Sequence, residues 1–454
     1  MTAGNNDLDQ LAANLSGRLI RPEDMEYDEA RRVWNGMIDR RPRAIVCCAN
    51  EADVTATVQF AAKREILVSV RGGGHNIAGN AVCDEGLVID LSRLKSILVD
   101  PTNRRVRAGG GVLWGEFDAQ TQKFGLATTG GLVTTTGIGG FTLGGGLGYL
   151  MRSYGLACDN LTSVEMVTAQ GERLVASPVE NADLFWALRG GGGNFGVVTT
   201  FEYRLYPVGP LLLAGTIAFP LAQARAFLRL YRDWMKTVPD QMSAYASLTT
   251  GPDGLKRVGV RVAYNGPVED ASKVIEPLRH FGSPLLDEIQ PRTYLEIQHL
   301  IDAGFPPGRL NYWKSNFLNE LSDELIDIVV DTFQQAPSRF SIIAFEPMGG
   351  AVARIAETDS AFRYRNAAFT LLLLGGWQDP ADNQANIAWV RDLWEQTRPL
   401  SSPGVYVNYL GSEGIDRIRD AYGVNYDRLA AVKQKFDPHN FFRINQNIHP
   451  TIIA

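Results

Sequence analysis

Glycine is concentrated in one part of this 454-residue chain, since residues 71–150 contain 19 of its 46 glycines and residues 151–196 contain seven more. Short apolar segments interrupt the glycines, so this part of the chain does not have the composition of a flexible linker. Because glycine has no side chain, its backbone can turn sharply and approach a bound group closely. The pattern predicts a fold whose strands end in loops that bind a ligand through their backbone.

The stretch "SVRGGGHNIAGNAV" (69–82) places His75, one of only five histidines, directly after three glycines. Successive N–H groups of such a loop can hold a pyrophosphate, and the adjacent histidine suggests that the ligand is also bonded to the protein. A dinucleotide-binding Rossmann turn and a purely structural turn are the alternatives. The Rossmann interpretation is disfavoured, because segment 137–161 continues into more glycine and a turn instead of one helix and one strand.

Apolar periodicity predicts strands and helices in alternation at the start of the chain and a different organisation after residue 208. The expected early strands are 44–50, 66–71, 86–91 and 104–112, the expected helices are 51–65 and 111–125, and segment 181–208 is a helix followed by a long strand. Beyond residue 208, strands at 243–250, 256–266, 340–350 and 368–377 alternate with helices at 222–238 and 322–336. This order predicts an α+β fold whose second part is a largely antiparallel sheet with helices covering one face.

Charge and cysteine content exclude several classes of protein. The 44 Lys and Arg against 50 Asp and Glu give a net charge of −6, whereas nucleic-acid-binding domains are usually basic. Neither the spacing of the cysteines (Cys47, Cys48, Cys83, Cys158) nor the scattered histidines predicts a metal site. The start of the chain lacks the apolar core of a signal peptide, and the apolar run 369–377 is too short to cross a bilayer. We therefore expect a cytoplasmic enzyme with no membrane or nucleic-acid partner.

Taken in order, the glycine-rich segments and the tail form a recognisable set: "VRGGGHNIAGNAV", "RAGGGVLWGEF", "GLVTTTGIGGFTLGGGLGYLMRSYGLACDNL", "LFWALRGGGGNFGVVT" and "YGVNYDRLAAVKQKFDPHNFFRINQNI". The set resembles the berberine bridge enzyme-like flavoproteins of the vanillyl-alcohol oxidase/PCMH superfamily. The resemblance implies a PCMH-type FAD-binding domain of two α+β subdomains over residues 1–208, with its core in 38–208. It also implies an α+β substrate domain over residues 209–410. After that domain it implies a C-terminal segment over 411–454 that returns to the FAD domain.

The resemblance also assigns the cofactor, because the histidine of the "RGGGH" turn carries the 8α-methyl group of FAD in this family. It implies that His75 is covalently bonded to FAD and that a wider set of residues binds the cofactor. That set is Arg71, Gly72, Gly73, Gly74, Asn76, Ala78, Gly79, Val133, Thr136, Gly137, Gly140, Gly145, Cys158, Asn160, Val197 and Asn445. The cofactor would carry out the redox chemistry while the protein orients and tunes it.

Two positions of "GLVTTTGIGG" (131–140) depart from the family pattern. Many members have a cysteine, and a second flavin bond, where this chain has Val133, so linkage through His75 alone is expected. Thr136 stands where the family usually has a small or branched apolar residue that governs oxygen access. This threonine leaves both an oxidase and a dehydrogenase open.

Three residues are candidates for the chemistry. Tyr406 and Tyr409 belong to "VYVNYLG" (405–411), which predicts an alternating strand with Tyr406 and Asn408 on one side and Tyr409 on the other. Tyrosines in a matching stretch of bacterial family members lie at the active site. Glu346 follows an apolar strand and is either a solvated strand end or a base with a raised pKa facing the flavin. Lys314, in "LNYWKSNFL" (310–318), follows an aromatic pair and either lines the same pocket or extends to the surface, and the surface position is the expected one.

The resemblance and these residues together imply a flavin enzyme that moves a hydride from a small alcohol, sugar or cyclic amine to flavin N5, with O2 as the expected acceptor of electrons. A dehydrogenase with another acceptor and a flavin-binding protein with vestigial catalysis remain the alternatives. The identity of the substrate and of the base among Tyr406, Tyr409 and Glu346 stays open, as does the oligomeric state.

Overall fold

A computed structural model describes residues 5–451. Its strands, in chain order, are β1 (Arg18–Ile20), β2 (Ala44–Cys47), β3 (Val68–Arg71), β4 (Leu87–Asp90), β5 (Ile97–Asp100), β6 (Arg105–Gly109), β7 (Leu126–Ala127), β8 (Leu161–Val167), β9 (Arg173–Ala176), β10 (Val197–Arg204), β11 (Tyr206–Pro207), β12 (Leu212–Pro220), β13 (Met242–Thr250), β14 (Lys256–Tyr264), β15 (Leu286–Asp287), β16 (Gln290–Arg292), β17 (Leu310–Leu318), β18 (Ile342–Pro347) and β19 (Phe369–Trp377). Its α-helices are α1 (Asn5–Ala13), α2 (Tyr27–Ala30), α3 (Glu51–Lys63), α4 (Trp114–Thr121), α5 (Ile138–Leu143), α6 (Met151–Tyr154), α7 (Ala182–Leu188), α8 (Ala224–Met235), α9 (Val268–Val274), α10 (Glu276–Arg279), α11 (Tyr294–Gln298), α12 (Asp323–Gln334), α13 (Ala351–Arg354), α14 (Asn383–Thr397), α15 (Ile415–Tyr422) and α16 (Tyr426–Phe436). Within residues 5–451, no helix has both the length and the apolar character needed to cross a bilayer, and no three His, Cys, Asp or Glu side chains come together as a metal site.

The first sheet has the order β1-β2-β4-β3, in which β4 runs parallel to both β2 and β3. Helix α3 connects β2 to β3 and buries Val54 and Val58 in the core beneath this sheet. The helix begins after Asn50, whose side chain accepts a hydrogen bond from the Asp53 backbone N–H at 3.0 Å, as an N-cap residue does. The strand–helix–strand order predicted from the sequence is confirmed, and it places the glycine turn with His75 directly after β3.

The second sheet is antiparallel, in the order β5-β6-β10-β8-β9. Helices α4 and α7 pack on it through side chains such as Trp114, Phe117 and Trp186. The sequence analysis did not identify β8 and β9. Both strands mix buried and half-exposed positions without strict alternation, so the period-two signal of a half-buried strand is weak there.

The third sheet is antiparallel, with the order β15-β12-β14-β13-β18-β19-β17 and with β16 also paired to β12. Helices α8, α12 and α14 cover one face of it and form the largest apolar core with side chains such as Phe227, Val329 and Leu393. The opposite face packs against residues 147–158 through side chains that include Tyr245 and Phe317. The α+β architecture and the helix-covered antiparallel sheet are therefore confirmed.

The last part of the chain runs along the third sheet and then returns to the second. The backbone N–H of Phe317 in β17 donates to the Gly404 carbonyl at 3.1 Å, so residues 402–404 lie beside this edge strand. Helix α16 then packs on the core of the second sheet through Leu429 and Phe436. The Gln446 side chain donates to the Leu410 carbonyl at 2.6 Å, which fastens the extended end to the segment that carries Tyr406 and Tyr409.

Candidate active site

A cavity of about 320 Å³ lies between the glycine-rich loops and the face of the third sheet that its helices do not cover. Glycines from four parts of the chain line it, namely Gly72, Gly73, Gly74, Gly110, Gly131, Gly137, Gly139, Gly140, Gly192, Gly193 and Gly196. Two of these loops meet backbone to backbone, because a Cβ on Gly73 would lie 2.3 Å from the Gly137 nitrogen. A Cβ on Gly140 or Gly193 would meet nothing within 4 Å, so there the backbone borders open space. This wall can contact a ligand through its amide groups.

His75 is held in one orientation at this wall. Its Nε2 lies 2.9 Å from the Thr135 hydroxyl, whereas its Nδ1 is 3.4 Å from the hydroxyl of Thr136, a cavity residue. Burial lowers the pKa of His75 to about 4, against the opposing effect of the Asp302 carboxylate. The imidazole is therefore neutral near pH 7 and has a lone pair available as a nucleophile or ligand.

Trp34 covers the His75 ring from the side of the N-terminal segment. The two rings are stacked, with centroids 5.3 Å apart and planes 19° from parallel. The indole Nε1 donates to the Phe305 carbonyl at 3.0 Å, and the Trp34 backbone N–H donates to the Gly74 carbonyl at 3.1 Å. Sequence analysis missed Trp34, because no motif surrounds it and an isolated tryptophan does not differ from a core residue.

Glu346 lies at the centre of the third sheet, on β18, where it pairs across strands with Thr370 of β19. Its side chain is 4% exposed, and burial raises its pKa to about 7 against the lowering influence of the nearby Tyr409 and Thr370 hydroxyl groups. The Tyr409 hydroxyl donates to Oε1 at 2.9 Å, while Oε2 is buried with no hydrogen-bond partner in the described chain. Glu346 is thus a base candidate facing the cavity and not a solvated strand end.

Tyr406 and Tyr409 both border the cavity, which differs from the alternating strand predicted for 405–411. Residues Val407–Tyr409 form a short 3-10 helix, closed by a hydrogen bond from the Tyr409 N–H to the Tyr406 carbonyl at 2.9 Å. This turn places the two rings edge to face at 4.8 Å. The strand prediction was wrong because the alternation of apolar and polar residues is also compatible with a single tight turn.

The two tyrosines differ in their hydrogen bonds. The Tyr406 oxygen accepts from the Gly146 N–H at 3.0 Å and from the Asn408 side-chain nitrogen at 2.8 Å. Asn408 donates its other hydrogen to the Phe141 carbonyl at 3.0 Å. Burial raises the pKa of both phenols, and the charge of Glu346 raises it further for both. Only Tyr409 is hydrogen-bonded to that carboxyl group, so only Tyr409 can exchange a proton with it directly.

The cavity brings together most of the residues singled out from the sequence. Those that line it are His75, Gly72, Gly73, Gly74, Asn76, Val133, Thr136, Gly137, Gly140, Asn445, Glu346, Tyr406 and Tyr409. Those that lie outside its lining are Arg71, Ala78, Gly79, Gly145, Cys158, Asn160 and Val197. The cavity also has walls that the sequence analysis did not name, above all Trp34, Phe305 and Trp313.

The residues outside the lining support the loops instead. Arg71 pairs with Asp90 at 2.7 Å, and the Asn160 side chain donates to the Leu156 carbonyl at 2.8 Å. Gly145 and Gly79 have φ of +123° and +75°, a backbone region that favours glycine. Cys158 is fully buried, and burial raises the pKa of its thiol well above the usual value, so it packs as a small apolar residue. Ala78 and Val197 are buried as well.

Lys314 is not the surface lysine expected from its sequence context. It is 8% exposed and forms an ion pair with Glu413, and its ammonium group lies 4.4 Å from the centre of the Trp394 ring. It lies on the helix-covered face of β17, opposite Leu373, and does not line the cavity. Its contacts fasten the segment after Tyr409 to the edge of the sheet.

The cavity fits a flat cofactor with phosphate groups, as the resemblance to flavoproteins requires. Backbone amides of the glycine loops can surround such a group, and the Asn445 side chain lines the wall with its Oδ1 buried and unpartnered within residues 5–451. Trp313 Nε1 and Glu346 Oε2, on the sheet side of the cavity, are also without partners there and remain available to a second ligand, the substrate. Unsatisfied polar atoms in a cavity wall are expected where a ligand supplies the missing bonds.

Comparison with known proteins agrees with this geometry. Residues 42–177 match the FAD binding domain family, and residues 405–449 match the family described as berberine and berberine like. An FAD-linked oxidoreductase of Dictyostelium discoideum is 33% identical over 98% of this chain and 97% of its own length. The (R)-6-hydroxynicotine oxidase of Paenarthrobacter nicotinovorans is 33% identical over 96% of this chain and 97% of its own. The crystal structure of 6-hydroxy-D-nicotine oxidase from Arthrobacter nicotinovorans superposes with a TM-score of 0.89 at 30% identity, over 96% of this chain and 98% of that one.

Proposed function

The chain belongs to the berberine bridge enzyme-like FAD-linked oxidoreductases, and from this premise we propose that it oxidises a small molecule by hydride transfer to an FAD bonded to His75. That it is an FAD-dependent oxidoreductase follows from the family matches and the relatives. The histidine linkage, the proton acceptor and the electron acceptor are the parts that we propose.

One observation carries the proposal: the glycine loops, His75 and the Glu346–Tyr409 pair border a single cavity. FAD bound there supplies the acceptor for a hydride, and the chain must supply a base and hold the reacting C–H close to the flavin ring. The glycine loops 72–74 and 137–140 would hold the cofactor through their amides. Side chains of the third sheet would then face the ring from the opposite side.

We assign the base to Glu346, with Tyr409 as its hydrogen-bonded partner. Oxidation of an alcohol or amine carbon releases a proton from its O–H or N–H as the hydride leaves. Glu346 is the group that accepts this proton, because a carboxyl group with a pKa of about 7 is substantially ionised near neutral pH, whereas the Tyr409 phenol, whose pKa is raised, already carries its own proton. Oε2 can accept it directly, or Tyr409 can accept it while passing its own hydrogen to Oε1, to which it already donates. A base with a pKa near the working pH is well matched to this task.

We assign the flavin bond to Nδ1 of His75 and expect no second bond. Support for Nδ1 comes from the hydrogen bonds of the ring, because Nε2 has a close partner in Thr135 whereas the contact of Nδ1 with Thr136 is long. Support for a single bond comes from Val133, which lines the cavity, while Cys47, Cys48, Cys83 and Cys158 are free and lie outside its lining.

We propose O2 as the electron acceptor, with a dehydrogenase as the second candidate. Thr136 favours the second candidate, because its hydroxyl borders the cavity beside His75 where the family pattern has an apolar residue. The rate at which the reduced protein recovers its colour in air separates the two. Recovery within seconds supports the oxidase, and recovery over many minutes supports the dehydrogenase.

The test of the proposal is the state of the flavin in purified protein expressed with ample riboflavin. We expect a yellow protein whose flavin fluorescence stays on the denatured band, and a mass increase of one FAD less the two hydrogen atoms that the new carbon–nitrogen bond replaces. His75→Ala should release the flavin on denaturation, whereas His280→Ala, at an exposed histidine, should not. A flavin still bonded in His75→Ala would refute the assignment of the linkage. A flavin that no alcohol, sugar or amine bleaches without air would favour a vestigial binding protein.

A further inference from the structure

The third sheet and its loops contribute few side chains to the cavity, and almost all of them are apolar. From residues 209–404 the lining consists of Ile301, Phe305, Trp313, Glu346 and Leu372. Glu346 is the one polar group among them, apart from the indole N–H of Trp313. A ligand on this side therefore contacts an apolar wall with a single carboxylate.

Trp313 stands between the flavin attachment site and the base. Its ring meets Trp34, the residue stacked on His75, at 5.7 Å and 69°, and it meets Tyr409 at 5.6 Å and 81°. These two edge-to-face contacts fix the plane of the indole. Along the same face of the sheet, β17 is paired to β19 and β19 to β18, so Leu372 lies between Trp313 and Glu346. Trp313 is thus part of the surface on which the reacting molecule must lie.

Two polar atoms of this wall lack partners within the described chain: the Trp313 indole nitrogen Nε1, a donor, and Glu346 Oε2, an acceptor. Each is buried, and an unmatched buried polar atom is costly unless a ligand satisfies it. A matching ligand has one O–H or N–H for Glu346 and one acceptor atom for Trp313. A sugar would bury several further hydroxyls against Ile301, Phe305 and Leu372, where they would find no partner, and this would weaken its binding.

We propose that the substrate is a flat, largely apolar ring compound with the reacting alcohol or amine at one end and a hydrogen-bond acceptor at the other, and that Trp313 selects it. This inference rests on the proposed function, since it assumes that the cavity holds the flavin and that Glu346 takes the proton. It narrows the substrate class to aromatic alcohols and amines and excludes oligosaccharides.

The experiment compares three probes by bleaching of the flavin absorbance without air: 4-methoxybenzyl alcohol, which has an acceptor opposite the carbinol, 4-methylbenzyl alcohol, which lacks it, and cellobiose. We expect both aromatic alcohols to reduce the flavin and cellobiose to leave it unchanged. Trp313→Phe keeps the ring and removes the N–H, so KM should rise about tenfold for the methoxy compound and less than about twofold for the methyl compound. Trp377→Phe, at a tryptophan outside the cavity lining, should change neither value.

Three results would overturn the inference. The first is reduction of the flavin by cellobiose at a lower concentration than by the aromatic alcohols, and the second is a flavin spectrum that the aromatic alcohols leave unchanged at millimolar concentration. The third is an equal rise in KM for both aromatic alcohols in Trp313→Phe. In each case a yellow protein that dithionite reduces would leave the flavin assignment intact. A colourless protein that takes up no FAD would overturn the proposed function together with this inference.

Discussion

Glu346 and Asp118 are both fully buried carboxyl groups whose pKa burial raises to about 7, yet their surroundings differ. Glu346 borders the cavity and accepts a hydrogen bond from Tyr409. Asp118, on α4, is enclosed against α11, where the Gln298 side chain donates to it at 2.9 Å. Both groups leave one oxygen without a partner in the described chain.

This difference shows that a raised pKa does not by itself mark a catalytic group. Asp118 has no path to a substrate, because it does not line the cavity, so its proton serves only to keep a buried group neutral. Glu346 lines the cavity and has in Tyr409 a neighbour that can relay a proton. What distinguishes Glu346 from Asp118 is therefore its place in the cavity wall and not its pKa.

The largest effect is expected for Glu346→Gln, which keeps the shape of the side chain and removes the base. The rate of flavin reduction, measured by stopped flow without air, should fall about 10²–10⁴-fold. Asp118→Asn is the matched control and should stay within about twofold of the parent rate. Equal losses in the two variants would contradict the distinction between the regions.

The pH dependence of flavin reduction follows from the same group. Because the base acts as a carboxylate and its pKa is about 7, the rate should rise with pH up to about 7 and then level off. Below that pH it should fall about tenfold per unit, since each unit reduces the ionised fraction tenfold. A flat profile between pH 5 and 8 would exclude Glu346 as the base.

Tyr409→Phe removes the hydrogen bond that holds down the pKa of Glu346. The midpoint of the pH profile should move up by about one unit, because a hydrogen bond to a charged group contributes about 1.5 kcal/mol. Tyr406→Phe is the control, since its hydroxyl does not bond to Glu346. An unchanged midpoint in Tyr409→Phe would show that Glu346 titrates independently of Tyr409.

The smallest effect concerns stability at Asp118. Its pKa is higher in the folded chain than in the unfolded one, so folding takes up a proton, and the free energy of unfolding should fall as pH rises from about 4 to about 7. One such group gives a slope of at most about 1.4 kcal/mol per pH unit. Glu346, whose pKa burial raises in the same way, adds a similar slope. Asp118→Asn should therefore remove about half of the combined slope and be more stable than the parent at pH 8, as urea unfolding at several pH values would measure. An unchanged slope would assign the dependence to other groups.

The cofactor side of the cavity could be anticipated from the sequence because a ligand held by backbone leaves a pattern of glycines. Gly73 and Gly137 have to be glycine where their loops touch, and such requirements are visible in one chain. The opposite wall leaves no such pattern. Trp34, Phe305 and Trp313 are aromatic residues like those of any core, and their shared cavity depends on the packing of distant segments.

The contact between Glu346 and Tyr409, the proposed catalytic pair, could not be predicted from the sequence either. Glu346 and Tyr409 were singled out from the sequence, but their contact depends on one hydrogen bond of a turn, from the Tyr409 N–H to the Tyr406 carbonyl. A strand and a tight turn differ there by a few backbone angles, which apolar and polar alternation does not specify. The ion pair of Lys314 with Glu413 likewise joins residues about a hundred positions apart.

The groups that complete the cavity come late in the chain, whereas the glycine loops come early. The cavity is lined early in the chain by residues 72–74 and 137–140 and late in the chain by Tyr406, Tyr409 and Asn445. The Gln446 side chain holds the late segment in place by its hydrogen bond to the Leu410 carbonyl. During synthesis on the ribosome, which proceeds from the N-terminus, the early walls therefore emerge about 200 residues before Glu346 and about 270 residues before Tyr409. A nascent chain halted in between would be incapable of turnover, so any redox activity appears only once the tail has docked.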